Sequence, residues 1–213
     1  MASATNPLAP SKPTRSHTKL ILWTVLGLAA LSLIPFTELP ILRDTSGGNA
    51  TYRAQLWHDR FLLVPHALCG IIALLSGPLQ FSTRIRRKYL QFHRVLGRVY
   101  VISVLVAATI SLILTQGSGL EIATYVQAGS WIVCTVAAFL TARNGHIAQH
   151  RQWMVRSYAV TFTFISTRLL NFWPAYAQMT VSQALVEIIV VTFLSLLIPD
   201  LALNWRELTT RRL

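Results

Sequence analysis

Residues 93–115 read HRVLGRVYVISVLVAATISLILT. A His-Arg pair opens the stretch, Arg98 follows, and from Leu96 to Thr115 the side chains are predominantly apolar. About 20 such residues are what an α-helix needs to cross the hydrocarbon core of a bilayer, since each residue advances the helix by about 1.5 Å. The stretch therefore reads as a transmembrane helix with a titratable, cationic foot. A second His-Arg pair opens residues 150–158, HRQWMVRSY, ahead of another apolar run.

Working outward, five more segments have the same character. They predict spans at about Leu20–Leu39, Phe61–Phe81, Ile122–Ala142, Trp153–Trp173 and Val181–Leu203. The fold expected is an all-α integral membrane bundle of about six transmembrane helices. Composition agrees: 53% of the 213 residues are hydrophobic and 12% charged, against about 25% charged in soluble domains. The net charge of +12 would suggest nucleic acid in a soluble protein. Here the basic residues flank apolar spans, so the membrane explains them and no nucleic-acid partner is expected.

The connections set the expected topology. STRIRRKYLQFHR (82–94) and RNGHIAQHR (143–151) are strongly basic, whereas QGSGLE (116–121) and PAYAQM (174–179) carry no Lys or Arg. With six spans the basic connections fall on one side, and the positive-inside rule puts both termini in the cytoplasm; the first outer loop dissents with Arg43, Arg53 and Arg60, which Asp44 and Asp59 partly offset. Residues 1–19 are polar and Pro/Ser-rich and read as a disordered tail. The apolar run of 20–39 is long for a signal peptide and reads as a retained anchor. Residues 40–60 form an outer loop that holds the glycosylation sequon Asn49-Ala50-Thr51. A five-helix core over 61–203 and a basic tail over 204–213 complete the organisation. Cys69 and Cys134 fall inside apolar runs without metal-ligand spacing and read as small core residues.

Titratable groups inside a membrane are costly and usually mark function. They sort into two sets by depth. The outer set is His66, Arg168 and Glu187, with Arg168 and Glu187 on neighbouring antiparallel spans. The inner set is His93, Arg94, Arg98, His146, His150, Arg151 and Arg156, with Gln80 and Asp200 nearby. The arginines alone are explained by topology and by anionic lipid headgroups. The histidines are not. Two imidazoles at equal depth on different helices are what bis-histidine ligation of a haem requires, with arginines for its propionates. His93 and His150 fit that pattern, and a quinone gripped by the same groups is the related alternative. His66 has no histidine partner on another span, so one haem is expected and no two-haem relay.

Three ordered blocks carry a family resemblance: PHALCGIIALLSGPLQF from Pro65, HRVLGRVYV from His93 and HRQWMVRSYAVTFTFISTRL from His150. Over about residues 60–175 the chain resembles the multi-pass membrane proteins grouped as domain of unknown function 2306. The resemblance points to His66, Gly77, Pro78, Gln80, His93, Arg94, Gly97, Arg98, His150, Arg151, Met154, Arg156 and Arg168. It implies a helical bundle and no particular reaction.

Three readings of function follow. One is a membrane redox protein holding haem b or a quinone through His93, His150, Gln80, Arg94, Arg98, Arg151 and Arg156. A second is a cofactor-free isomerase or cyclase acting on a lipid-soluble substrate, with His66 as acid/base beside Arg168 and Glu187. The third is a non-catalytic assembly factor or scaffold. The small residues Cys69, Ala73 and Gly77 suit helix packing or homo-oligomer formation.

Overall fold

The computed structural model describes residue 28, residues 58–170 and residues 179–209. Apart from residue 28, the expected first span lies outside them, as do Asn49 with most of the expected outer loop and the last four residues. Six helices are described: α1 (Arg60–Phe81), α2 (Thr83–Lys88), α3 (Leu90–Leu114), α4 (Glu121–Arg143), α5 (Ile147–Leu170) and α6 (Val181–Thr209). Among the described residues there is no strand.

Helices α1, α3, α4 and α6 are each long and apolar enough to cross a membrane. Helix α5 has a similar length, 24 residues, but carries Arg151, Arg156 and Arg168 and is too polar to qualify alone. Packing explains how it is accommodated. Helix α5 is enclosed by α4, α6 and α1 and turns Met154, Ser157, Tyr158, Thr161 and Ile165 inward.

The side chains are distributed inside-out relative to a soluble protein. On α1 the buried residues are Ala67, Gly70, Ala73, Leu74, Ser76, Gly77 and Gln80. Phe61, Leu68, Ile72, Leu75 and Leu79 face outward. Lipid tails are as apolar as leucine, so membrane helices associate through small residues and interhelical hydrogen bonds rather than through expelled water. The protein is accordingly an integral membrane protein.

Hydrogen bonds set the helix directions. His66 Nδ1–H donates to the Ala107 carbonyl (2.9 Å), and Gln80 Nε2–H donates to the His93 carbonyl (3.0 Å). The start of α1 therefore lies by the end of α3, and the two are antiparallel. Gln127 Nε2 reaches Thr163 (3.1 Å) and His150 Nδ1 reaches the Ala138 carbonyl (2.8 Å), so α4 and α5 are antiparallel too. Gly145 makes the tight turn between them. Its φ of +79° lies in the left-handed region, and the His146 N–H closes back on the Thr141 carbonyl, a glycine helix stop. Four helices thus run up and down around one core, with α1 against α3, α3 against α4, α4 against α5, and α5 against α1. Helix α6 packs on the outside of α4 and α5. Helices α3 and α5 are parallel and sit diagonally across the bundle.

A Gly-Pro pair on α1 docks this bundle onto α5. Pro78 has no N–H, so the Leu74 carbonyl one turn earlier loses its helical donor. Tyr158 of α5 supplies the missing donor, its hydroxyl 3.0 Å from that oxygen. Gly77 leaves the space for the Tyr158 ring, which also meets Phe81 edge-on at 5.4 Å. Tyr158→Phe should cost about 1 kcal/mol, the usual worth of one such bond inside a membrane bundle. Thermal unfolding in detergent measures it, and an unchanged midpoint would mean that Leu74 finds another donor.

The helices extend beyond the apolar runs. Helix α3 begins six residues before Leu96 and α5 six residues before Trp153, which brings His93, Arg94, His150 and Arg151 onto helical turns. Helix α6 continues past Leu203 to Thr209, into the segment expected to be tail. Hydropathy ends where a helix leaves hydrocarbon, but its hydrogen bonds do not. The basic 82–94 connection also contains a helix, α2, capped by Ser82 Oγ, which accepts from Ile85 N–H at 3.4 Å.

Candidate cofactor site at the basic end of the bundle

One end of the bundle collects the ends of α1, α4 and α6 and the starts of α3 and α5. It carries Arg84, Arg86, Arg87, Lys88, Arg94, Arg98, Arg143, Arg151 and Arg156. The turn at the other end, residues 115–120, has none.

Across the centre, Tyr100 of α3 spans the diagonal to α5. Its hydroxyl lies 2.7 Å from Ser157 Oγ and 2.8 Å from Thr161 Oγ1. Thr135 Oγ1 joins Ser157 at 2.7 Å, and Trp131 Nε1–H donates to Thr161 at 2.9 Å. Tyr100, Thr135, Ser157 and Thr161 are all essentially inaccessible. This hydroxyl cluster fixes the register of the two diagonal helices. Tyr100 and Ser157 are 57 residues apart, and so are His93 and His150. Each histidine lies seven residues, two helical turns, before its partner in that bond, on parallel helices. Two turns along the axis is about 10 Å. The register that joins Tyr100 to Ser157 therefore brings His93 and His150 to one level, each on the face that its helix turns to the interior.

The two imidazoles differ in their commitments. A carbonyl can only accept, so His150 carries its proton on Nδ1 when bonded to Ala138. In neutral His150 this leaves the Nε2 lone pair free. Fixing one ring nitrogen against a carbonyl is the usual way a protein orients a ligating histidine. The His93 ring makes no hydrogen bond among the described residues, and its Nδ1 is buried. One turn further in, Gly97 faces the Gln80 amide, 3.6 Å from where a Cβ would stand. Met154, one turn after His150, packs in the core with Tyr100 and Tyr158.

The other expected site residues fall differently. Arg94 and Arg98 are exposed near the foot of α3. Arg151 is exposed and lies about 100° around α5 from His150, so it does not share the inward face. Arg156 is paired: Nε donates to Asp200 Oδ1 at 2.6 Å, and its guanidinium lies over the Trp153 ring at 4.8 Å. His146 is exposed in the α4–α5 turn, one turn outside His150. His66 is half-buried against α3, Glu187 has a buried Oε1 on α6, and the Arg168 side chain lies outside the described residues. The hydroxyl cluster of Tyr100 and Ser157 is an addition that the sequence did not single out. Its signal was the 57-residue offset that it shares with His93 and His150.

A family model described as a predicted membrane protein, DUF2306, matches residues 63–205. The chain belongs to the DUF2306 family. The match covers all the described spans except the ends of α1 and α6, and it takes in His66, His93, His150 and the hydroxyl cluster. The DUF2306 residues Gly77 and Pro78 have a physical role in seating Tyr158, and Met154 is core. No curated protein and no solved structure is similar enough to match.

Proposed function

We propose that this protein is a membrane redox protein that holds one haem b between α3 and α5, where His93 and His150 would ligate its iron. The observation that carries the reading is the register: two histidines at one level on diagonal, parallel helices, set by the Tyr100–Ser157 bond two turns away. The residues suit the group. His150 is oriented by Ala138 and offers Nε2, and His93 has an uncommitted ring. Arg86 of α2 and Arg94 of α3 are the cations offered to the haem propionates. A bound haem would supply a one-electron carrier inside the membrane. The protein's own part is to fix both imidazoles, to screen the propionates and to keep bulk water from the hydroxyl-sealed core. A quinone suits the site less well. A quinone carbonyl needs a donor, and of the two imidazoles only His93 still has one to give, because neutral His150 has spent its only N–H on Ala138. By the positive-inside rule the site lies at the cytoplasmic face.

The test is haem titration of the detergent-purified full chain, followed by absorption. One equivalent should bind per chain and saturate sharply. A chain that takes up no haem beyond a detergent blank rejects the reading.

A further inference from the structure

Outside the bundle core a groove of about 740 Å³ runs between α5 and α6. Phe81, Val155, Tyr158, Phe162, Leu194 and Ile198 line most of it. Its hydroxyls are already spent: Ser166 Oγ donates to the Phe162 carbonyl, Thr163 Oγ1 to the Val160 carbonyl, Ser195 Oγ to the Thr192 carbonyl and the Tyr158 hydroxyl to the Leu74 carbonyl. The wall is therefore apolar and offers no donor to a polar ring. Among the described residues α1 and α6 barely touch, and the groove opens sideways between them.

From Val155 to Ser166 the groove follows α5 for about 17 Å, close to one leaflet's half of a hydrocarbon core about 30 Å thick. Charge selects the headgroup. Arg151, Val155, Tyr158 and Phe162 follow at steps of four, three and four residues, one face of α5. Arg151 therefore stands exposed where the groove reaches the basic end. Arg84 is exposed three residues beyond Phe81, at the same end. Asp200, the nearby carboxylate, is engaged by Arg156.

We propose that this groove is a binding site for one anionic phospholipid of the leaflet at the basic end. Its chains lie against α5 and α6, and its phosphate is held by Arg151 and Arg84. The site is independent of the haem reading.

The test is native mass spectrometry of the full chain extracted from nanodiscs of mixed phosphatidylglycerol and phosphatidylcholine. One phosphatidylglycerol should be retained in preference to phosphatidylcholine. Arg84→Gln and Arg151→Gln should each lower that preference about fivefold, the worth of one cation at a lipid surface. Ala159→Trp, which fills the groove, should expel the lipid, and Ser166→Leu serves if that variant fails to fold. Retention unchanged by either filler would overturn the proposal in favour of headgroup adsorption alone. So would a disulfide between a cysteine placed in residues 20–39 and Ile198→Cys, because this chain's own apolar segment would then occupy the groove.

Discussion

Gly77→Ala should destabilise the protein by about 2–4 kcal/mol, the combined cost of overpacking and of one lost interhelical hydrogen bond. A Cβ at residue 77 would stand 1.9 Å from Tyr158 Cε2 and 2.4 Å from Cδ2. The ring cannot yield locally. Its hydroxyl is tied to Leu74, its edge meets Phe81, and Tyr158 is 8% exposed in the core cluster. Moving the ring also strips the donor from the carbonyl that Pro78 left without one. Gly129 on α4 is the internal control. A Cβ there meets nothing within 4 Å, so Gly129→Ala should be neutral or stabilising by up to about 1 kcal/mol. The pair is read by thermal unfolding in one detergent. A Gly77→Ala protein that melts with the wild type would show that α1 and α5 do not meet as described.

His150→Ala and His93→Ala should each reduce bound haem to background while leaving a folded chain. The structural cost of either is small. The Ala138 carbonyl keeps the Thr141 hydroxyl at 3.0 Å when His150 is removed, and His93 has no side-chain hydrogen bond to lose. His66→Ala is the matched control. It removes a half-buried imidazole with the same kind of Nδ1–carbonyl bond, costs about 1 kcal/mol and should keep the haem. Equal haem loss in all three variants would point to general destabilisation. Retention in both His93→Ala and His150→Ala would remove these residues as ligands.

Helices α1, α3, α4 and α6 were legible as spans because hydropathy over 20 residues is a property of composition, and membrane burial reads composition directly. The ends were not. His93 and His150 stand outside the apolar runs, and only the continuing backbone hydrogen bonds put them on helices. The helix in 82–94 was hidden because Arg and Lys dominate that stretch, although they form helices readily. The site residues were legible as types. Histidines near a membrane are costly and arginines alone did not account for them. Their orientation was not legible, because it depends on which face each helix turns inward. Arg151 follows His150 by one residue, yet 100° of rotation takes it from the core to the mouth of the lipid groove. Arg156 is consumed by Asp200, which needs the packing of α6 on α5. Tyr158 on Leu74 could be inferred only after the partner of the Pro78 gap was known.

The central claim is that His93 and His150 meet across the bundle as two ligands of one group. The most direct measurement is the low-temperature electron paramagnetic resonance spectrum of the ferric, haem-loaded full chain. A six-coordinate low-spin signal without added ligand, with a reduced form that does not bind carbon monoxide, is the result the account predicts. A five-coordinate high-spin signal, or a chain that stays colourless with haem supplied, would contradict it.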